Sequence, residues 1–278
     1  MRVSVIISTY NGEKYIHECL DSIQNQTLSD FEVIIVDDMS KDNTISIANE
    51  YRKKDERFHI YKNNIHNHSE TLNLGLKHAR GKYVARIDQD DIMEKERLEI
   101  QSEFMDANKF ISVCGSWIKY FGIKNGCWDK FSGEINQPLF TLLLGTPLFN
   151  PSTMIRRSFL DKNKIYYNKE YSYAEDFKIW SDIAKLNGRF YVIPYYLTQY
   201  RISSEQASSK HYEEQYTEAL SIKNNLLNHI IEKNIFPEND KIKKIFKLLN
   251  DYNNDGFIKP EIIFQLAYDI LMSNKISI

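Results

Sequence analysis

Apolar runs alternate with helical patterns over the first third of the chain. Residues 2–7 and 31–36 are short apolar runs rich in Val and Ile, which is typical of buried strands. Each is followed by apolar residues at three- and four-residue spacing, at about 13–26 and 41–54. Because strands that alternate with helices form parallel sheets, the pattern predicts an α/β fold with a mostly parallel, Rossmann-like central sheet flanked by helices.

A polar segment follows each predicted strand. Residues 8–12 follow the first strand, Asp37 and Asp38 follow the second, and residues 88–91 follow a further apolar run at 82–87. In open sheets of this kind, ligands bind beyond the carboxyl ends of the strands. We therefore predict that the three polar segments face one crevice.

The cluster Asp88-Gln89-Asp90-Asp91 indicates a bound cation. Like charges repel each other, and their removal from water is costly unless a metal ion or strong hydrogen-bond donors compensate them. The alternative, taken from these residues alone, is a solvated turn that also caps the helix predicted near Glu94.

Composition and charge fit an enzyme and give no support to a nucleic-acid partner. The 278 residues, of which 42% are hydrophobic, suffice for one large domain or for a domain with an appendage. The net charge of −2 gives no electrostatic reason to expect nucleic acid. Cys19, Cys114 and Cys127 lack metal-ligand or redox spacing and are interpreted as reduced thiols.

The pattern changes along the chain and indicates two regions. Strand-like and helical pieces mix between residues 112 and 200, whereas residues beyond 209 show almost only helical spacing. We place a boundary near Lys210, between a domain of residues 1–210 and a helical C-terminal region of residues 211–278. Because the first residues already form a strand and the longest apolar stretch, 138–149, is too short to cross a bilayer, we expect the cytosol as the compartment.

The polar motifs, in their order, resemble those of family 2 glycosyltransferases. They cover roughly the first two hundred residues and comprise segments 4–11, 36–44, 73–75, 79–83, 86–91 and 150–158, followed by Glu175-Asp176. The resemblance implies an inverting enzyme of the GT-A fold that uses a nucleotide-diphosphate sugar. It also implies a nucleotide-binding half at about 1–91 and an acceptor half at about 92–210.

The resemblance assigns the carboxylate cluster to metal binding. It implies Asp90 as the principal ligand of Mn²⁺ or Mg²⁺, and it places Asp88 in the same DxD element, where Asp88 touches the ribose or supports the metal. Asp91 is expected just outside the ligand set. Oxygen ligands favour these ions over zinc, and a divalent ion on phosphate oxygens can absorb the charge that builds on a diphosphate leaving group.

The resemblance also assigns residues to the nucleotide sugar. Asp38 resembles the residue that accepts a hydrogen bond from the base, and Asp37 is interpreted as structural. Arg86 and Arg201 are expected near the diphosphate, with a structural ion pair as the alternative for each. Thr9, Tyr10 and Asn11 are assigned to the loop that cradles the nucleoside. Gln89, the middle residue of the DxD element, is also assigned to the nucleotide sugar. From the residues alone, 9–11 is an ordinary turn and helix cap.

Asp176 is the candidate catalytic base. Inversion needs a base on the face opposite the leaving group, and the resemblance gives this role to Asp176. It lies with Glu175 at the start of an apolar-periodic segment that predicts a helix. Without the resemblance, the simpler interpretation is that both acids complement the helix dipole.

Two departures from the family pattern concern the acceptor. Asn150 stands where many relatives have His, and residues 199–202, Gln-Tyr-Arg-Ile, lack the Trp of the QxxRW element of processive synthases. The missing Trp leads us to expect non-processive transfer. We expect a UDP-sugar as the foremost donor. The expected acceptor is a hydroxyl of a surface glycan or lipid-linked molecule, such as a lipooligosaccharide, capsule or exopolysaccharide precursor. The alternatives are a nucleotidyltransferase and a catalytically silent nucleotide- or glycan-binding module.

The helical C-terminal region has more than one interpretation. Residues 241–249 combine lysines with Ile and Leu, a pattern that suits an anionic membrane surface. Amphipathic helices also pack on their own domain or on a second copy of the chain, so peripheral membrane contact, a homodimer and internal packing all stay open.

Two further features are interpreted as structural. Residues 251–262 imitate the opening of a calcium-binding loop, but Ile262 replaces the Glu required at the twelfth position, so we predict a polar turn between helices. His66 and His68 are interpreted as surface residues of a loop.

Overall fold

Strands and helices alternate up to residue 86 and mix beyond it. A computed structural model of the protein describes residues 1–204, 206, 210–233, 244–249, 251 and 258–273. The strands are β1 (Val3–Thr9), β2 (Phe31–Asp37), β3 (Phe58–Lys62), β4 (Tyr83–Arg86), β5 (Ile92–Met93), β6 (Ile111–Gly122), β7 (Gly126–Trp128), β8 (Gly133–Glu134), β9 (Met154–Arg156) and β10 (Arg189–Ile202). The helices are α1 (Ile16–Gln24), α2 (Thr44–Lys54), α3 (His68–His78), α4 (Arg97–Ala107), α5 (Pro138–Leu144), α6 (Arg157–Asn163), α7 (Glu175–Lys185), α8 (Tyr212–Glu232) and α9 (Pro260–Ser273). Residues 244–249 form a further helical segment, and Asn150–Ser152 form a 3₁₀ turn.

The strands join in one mixed sheet. Its order is β3-β2-β1-β4-β9-β6-β10-β5, with β7 paired to β6 and β8 paired to β10. The first four strands in this order are mutually parallel, whereas β9 is antiparallel to both β4 and β6. The carboxyl ends of β1, β2 and β4 therefore lie at one edge of the sheet, which is called the carboxyl edge below. The predicted α/β class is confirmed.

Helices cover both faces of the sheet, and this explains why the first strands are continuous apolar runs. All seven residues of β1 are buried. Val5 and Ile7 share one core with side chains of α1, α2 and α4, while Ile6 lies in the core on the other face with side chains of α3, α5 and α7. Successive side chains of a strand point to opposite faces, so a strand covered on both sides needs apolar residues throughout.

One strand is longer than the sequence pattern predicts. The pattern indicates a strand at 189–193, but β10 continues to Ile202 alongside β6, with register shifts on either side of Pro194. Proline removes a backbone donor and interrupts the alternation of side chains, which hides the second half of the strand from a periodicity argument.

The C-terminal helices pack on the same domain. Side chains of α8 and α9 are buried in the core that contains α5 and α7; they are Ile222, Leu226, Leu227, Ile230, Ile263, Phe264, Ala267 and Leu271. Internal packing, one of the interpretations left open above, is therefore present. The apolar core includes residues on both sides of Lys210. The boundary near Lys210 stays a prediction. Half of the segment that resembles a calcium-binding loop, residues 252–257, and residues 241–243 of the lysine-rich segment lie outside the described residues.

Among the helices that the structure describes, none is long and apolar enough to cross a membrane. Cys19 and Cys114 are buried and Cys127 is exposed, and all three are free thiols.

Candidate active site

The loop after β1 is held against the carboxylate cluster by Gln89. The Tyr10 backbone N–H donates to Gln89 Oε1 at 3.1 Å, and Gln89 Nε2 donates to the Tyr10 carbonyl at 3.0 Å. A Cβ atom on Gly12 would lie 2.1 Å from Gln89 Oε1, so only glycine allows this close approach. These hydrogen bonds join the ends of β1 and β4. The contact agrees with the prediction that the polar segments after these strands face one crevice.

The loops after β1 and β2 are also joined to each other. The Asn11 N–H donates to Ser40 Oγ at 2.9 Å, and the Lys41 N–H donates to Asn11 Oδ1 at 2.8 Å. Thr9 is buried, and its carbonyl accepts from the Asp38 N–H at 2.8 Å. Asp37 accepts from the Ser40 N–H at 3.2 Å, a turn contact that agrees with its interpretation as structural.

Asp38 is buried in a polar network that no local pattern in the sequence predicts. Its Oδ1 accepts from Asn63 Nδ2 at 2.9 Å and from the Asn67 N–H at 3.2 Å. Its Oδ2 lies 3.2 Å from Nδ1 of His66, whose ring centroid is 4.6 Å from that of Tyr10. His66 is exposed in a loop, as the sequence predicts, and its ring in addition links Asp38 to the loop after β1.

The carboxylate cluster rests on a buried arginine. Arg86 is 1% exposed, and its Nη2 lies 2.9 Å from Asp88 Oδ1. The side chains of Asp88 and Asp90 are half-buried, whereas Asp91 is fully buried and accepts from the Arg201 N–H at 2.9 Å. Arg86 therefore forms the ion pair given above as the alternative to diphosphate contact.

Crowding at the cluster raises the affinity of these acids for protons. Burial, followed by the charge of Asp88, raises the pKa of Asp90 to about 6. Burial, followed by the charges of Asp88 and Asp90, raises the pKa of Asp91 well above its usual range. A cation placed beside these oxygens would reverse both shifts, because it would stabilise the ionised carboxylates.

The donor set fits a hard divalent ion that completes its shell with substrate oxygens. Asp88 and Asp90 offer two half-exposed carboxylates, and Asp91 Oδ2 is buried without a hydrogen-bond partner in the described part of the chain. The described residues include no group of three or more His, Cys, Asp or Glu side chains arranged to hold a metal by themselves. Mg²⁺ and similar ions are commonly bound by one or two carboxylates together with substrate phosphates.

Arg201 lies at the cluster but is occupied by protein partners. Its Nε donates to the Asp90 carbonyl at 2.9 Å, and its Nη2 lies 2.9 Å from Glu18 Oε2. The guanidinium also lies over the rings of Tyr15 and Phe121, at 4.2 and 4.3 Å from their centroids. These contacts favour the structural alternative for Arg201.

Glu175 forms an ion pair with His68 across two helices. His68 Nε2 lies 3.3 Å from Glu175 Oε1, and His68 is the first residue of α3. Burial opposes protonation of His68, but the charge and hydrogen bond of Glu175 outweigh it and raise the pKa of His68. Burial likewise opposes ionisation of Glu175, but His68 holds the pKa of Glu175 below its usual value. The interpretation of His68 as a loop surface residue is wrong, and no spacing in the sequence could have revealed this long-range pair.

Asp176 lies in the first turn of α7, beside this pair. Its Oδ1 accepts from the Phe177 N–H at 2.6 Å, and its side chain is half-buried. Burial, followed by the charge of Glu175, raises the pKa of Asp176 to about 7, and Asp88 contributes to the shift. The charges of Asp176 and Asp88 therefore act on each other. A carboxylate with a pKa near the working pH is suited to accept a proton.

Arg97 is a buried site residue that sequence reasoning missed. Its Nη1 donates to the Pro151 carbonyl at 2.6 Å, and its Nη2 donates to the Arg86 carbonyl at 2.7 Å. Burial lowers the pKa of Arg97 to about 10, which still leaves it charged. Arg97 thus ties the end of β4 to the 3₁₀ turn at Asn150–Ser152, and nothing in the local pattern of α4 distinguishes it from a surface arginine.

Asn150 presents an unused oxygen next to a row of aromatic rings. The side chain is buried, and its Oδ1 has no hydrogen-bond partner among the described residues. The neighbouring ring of Phe149 lies 4.8 Å from Tyr200 and 5.8 Å from Trp128, and all three rings are half-buried. Arg201, next to Tyr200, contacts Asp90 and Asp91, so this aromatic row begins close to the carboxylate cluster.

Comparison with known proteins identifies relatives along the whole chain. The family model described as "Glycosyl transferase family 2" matches residues 4–164. An uncharacterized glycosyltransferase of Haemophilus influenzae is 32% identical over 98% of this chain and 86% of that protein. The poly(ribitol-phosphate) beta-N-acetylglucosaminyltransferase TarS of Staphylococcus aureus is 33% identical over 63% of this chain, but the match spans only 31% of TarS.

Solved structures show the same architecture. TarS residues 1–349 in complex with UDP-GlcNAc align with a TM-score of 0.69 and 28% identity over 82% of this chain and 66% of that chain. A mannosyltransferase of Pyrobaculum calidifontis in complex with GDP-Man and Mn²⁺ aligns with a TM-score of 0.60 over 98% of this chain and 85% of that chain; at 16% identity it shares the fold alone. The predicted GT-A fold is confirmed.

The His68–Glu175 pair predicts a raised pKa for His68 that depends on the carboxylate. In the parent protein the pKa of His68 should lie above the usual value of about 6.5, and in Glu175→Gln it should fall below it, because burial and the charge of Arg86 then outweigh the charge of Asp88. Histidine proton shifts followed by NMR, with His68 assigned from His68→Gln, measure this directly.

The His68–Glu175 pair also makes the stability of the folded protein depend on pH. The raised pKa of His68 contributes stability that is fully present below its unfolded pKa and is lost as pH rises through its folded value, whereas the lowered pKa of Glu175 contributes stability that is present above its unfolded pKa and is lost as pH falls through its folded value. The pair therefore stabilises the fold most in the pH range between the folded-state pKa values of Glu175 and His68. An unchanged His68 titration in Glu175→Gln would contradict the ion pair.

Proposed function

This chain belongs to glycosyl transferase family 2, and from that premise we propose an inverting, metal-dependent transfer of one sugar, or a few, from a UDP-sugar to a hydroxyl of a surface glycan or lipid-linked acceptor. The observation that supports the proposal is the proximity of Asp176 to the carboxylate cluster: the charges of Asp88 and of Arg86, which pairs with Asp88 at 2.9 Å, both act on Asp176. The UDP and UDP-GlcNAc complexes of TarS favour a UDP-hexose or UDP-N-acetylhexosamine as donor.

Family membership decides between the enzyme classes left open by the sequence. The matched family and the named relatives are glycosyltransferases, so a nucleotidyltransferase is set aside. A catalytically silent module would have no need of a half-exposed acid with a pKa near 7 beside two further carboxylates. The site has the composition of a working active site.

We assign the nucleoside of the donor to the loops after β1 and β2. Tyr10 is exposed at the end of β1, and its backbone is fixed by Gln89, so its ring and that of His66 form one wall of the crevice. Thr9 and Asn11 hold the shape of this loop through their backbone and side-chain hydrogen bonds. Asp38 is the acceptor for the base, with Asn63 and the Asn67 backbone orienting its carboxylate.

We assign a divalent ion, Mn²⁺ or Mg²⁺, to Asp90 and Asp88. When bound, such an ion neutralises the negative charge that develops on the diphosphate as it leaves. Arg86 supports Asp88 from below, because Nη2 of its buried guanidinium lies 2.9 Å from Oδ1 of that carboxylate. Arg201 keeps the backbone of Asp90 in place through the Asp90 carbonyl.

We assign the proton transfer to Asp176. As the acceptor oxygen attacks the anomeric carbon, the bond from that carbon to the diphosphate oxygen breaks and the hydroxyl proton moves to an Asp176 oxygen. Attack from the face opposite the leaving group inverts the anomeric configuration. Glu175, held ionised by His68, keeps a negative charge next to Asp176 and so raises its basicity.

We assign the acceptor to the aromatic row of Trp128, Phe149 and Tyr200. Carbohydrate sites commonly combine aromatic faces with a few placed polar groups. Asn150 Oδ1, which is buried and unpartnered in the described part of the chain, is such a group beside Phe149. An amide oxygen accepts a hydrogen bond from a sugar hydroxyl, so Asn150 is suited to replace the family histidine here.

Contact of the C-terminal region, 211–278, with a membrane or with a second copy of the chain is a separate proposal. It is supported by the exposed apolar side chains Ile245 and Leu248 on the helical segment 244–249, next to Lys244 and Lys247. Such a face suits a peripheral position at an anionic lipid surface, where lipid-linked acceptors are found.

Replacing the base should separate chemistry from binding. Asp176→Asn keeps the shape of the side chain but removes the proton acceptor, so turnover should fall by about 10²-fold or more while donor affinity is retained. Hydrolysis or transfer from a panel of UDP-sugars in Mn²⁺ measures turnover, and calorimetry measures donor affinity. Asp182→Asn, on the same helix, removes one charge outside the crevice and is the control. Near-normal turnover of Asp176→Asn would remove Asp176 from this role.

Replacing the proposed metal ligand Asp90 should weaken donor binding, which the change at Asp176 leaves intact. Asp90→Asn should weaken donor binding in Mn²⁺ and leave the fold intact, because it removes one charge from a crowded cluster. A chelator should weaken donor binding by the parent protein in the same way. Calorimetry that gives equal donor affinity with and without Mn²⁺, in parent and variant alike, would contradict the metal assignment.

A further inference from the structure

One carboxylate of the C-terminal region binds three consecutive backbone N–H groups next to the candidate base. The Ser172 N–H donates to Glu218 Oε1 at 3.0 Å, and the N–H groups of Tyr173 and Ala174 donate to Glu218 Oε2 at 2.9 and 2.8 Å. Glu218 lies on α8, whereas residues 172–174 are the turn that leads into α7. Both oxygens of Glu218 are thus used to fix the backbone of another element.

Gln215 and His211, which lie near Glu218 along the chain, contact the same turn. Gln215 Nε2 donates to the Tyr173 carbonyl at 2.9 Å, and the ring of His211 stacks on that of Tyr173 at a centroid distance of 4.4 Å. Residues 211, 215 and 218 are spaced by four and three positions, which places them on one side of α8. This side of α8 holds the N–H, the carbonyl and the ring of Tyr173 together.

The start of α7 needs support from outside the helix. Its N-cap residue is Ala174, which has no side-chain acceptor with which to hold the turn. A carboxylate accepts N–H groups more strongly than a neutral oxygen does, and its charge is favourable near a helix N-terminus. Glu218 therefore supplies from a distance the negative charge and the acceptors that a local cap would otherwise provide.

The place where α7 begins decides where the reactive acids lie. Glu175 and Asp176 are its first two residues, directly after the three N–H groups held by Glu218. A site tolerates errors of only about 0.5 Å in the position of its reactive groups, and a displacement of about 1 Å can cost about 10²-fold in rate. A looser turn at 172–174 would allow shifts of this size in Asp176.

From this geometry we infer that Glu218 is a positioning residue for the transfer reaction: it fixes the turn 172–174 and thereby the place of Asp176 in the crevice. The inference rests on the proposed role of Asp176 as the base. It gives the C-terminal helix α8 a part in the active site, in addition to its apolar packing on the domain. Glu218 itself is not expected to touch either substrate.

The test compares Glu218→Gln and Glu218→Ala with Glu213→Gln, an exposed glutamate of the same helix. Glu218→Gln keeps one acceptor oxygen but loses the charge, and Glu218→Ala loses both acceptors. We expect kcat to fall in the order parent, Gln, Ala, by about 10-fold to 10²-fold for Ala, with KM for the donor unchanged. Glu213→Gln should behave as the parent does. Turnover is measured as hydrolysis of whichever UDP-sugar the parent uses in Mn²⁺.

Backbone hydrogen exchange at residues 172–176 provides a readout that does not need catalysis. Exchange there should be faster in both Glu218 variants, while exchange in β1 and β4 stays as in the parent. Unchanged exchange at 172–176 in Glu218→Ala, or an unchanged kcat, would overturn the inference. A loss of donor affinity equal to the loss of rate would also overturn it, because the donor loops are on other elements.

The two proposals fail in different ways. If Asp176→Asn turns over normally, the base assignment fails whatever the Glu218 variants do. If Asp176→Asn is inactive but Glu218→Ala keeps the parent kcat, the base assignment stands and the role of Glu218 is wrong. Should Glu218→Ala fail to fold, Glu218→Gln gives the decisive comparison, because it preserves the size of the side chain.

Discussion

The balance of buried charge at the carboxyl edge is the constraint on which the rest of the structure depends. The carboxylate cluster lies beyond the end of β4, and the charge of Asp88 acts on Asp176 at the start of α7. A buried carboxylate without compensation costs several kcal/mol. Arg86 lies beneath Asp88, and His68 pairs with Glu175, so each of these two acids has a cationic partner. Burial, followed by the charges of neighbouring acids, raises the pKa values of Asp90, Asp91 and Asp176. A metal ion beside Asp88 and Asp90, and a proton on Asp176, would each neutralise negative charge in the site. This is the reason for proposing that the site binds a metal ion and takes up a proton during the reaction.

The fold brings the acids together from two directions. Parallel pairing places the ends of β1, β2 and β4 at one edge, and Gln89 and Arg97 fasten the loops and carbonyl groups there. The second direction is α7, which belongs to the layer that α8 and α9 cover. The C-terminal helices are therefore joined to the site through the same core that stabilises the domain, and α8 also contacts the turn before α7.

The sequence predicted those parts of the site that depend on local pattern. Apolar runs fix where strands end, so the crevice and the acids at 88–91 followed from periodicity, and the order of the motifs pointed to the family. The missed residues act across long stretches of chain. His66 lies 28 residues from Asp38, and Glu218 lies 45 residues from Tyr173. Arg97, 54 residues from Pro151, resembles any helix arginine until the fold buries it. No periodicity encodes such pairs, because each is created by packing between elements.

The pH dependence of kcat, with donor and Mn²⁺ saturating, tests the central claim most directly. A base must be deprotonated to act, and burial beside Glu175 raises the pKa of Asp176 to about 7. The account predicts that kcat falls as pH decreases through about 7, approaching tenfold per pH unit, and that Asp176→Asn lacks this dependence. A kcat that stays constant between about pH 5.5 and 8 in the parent protein would contradict the account.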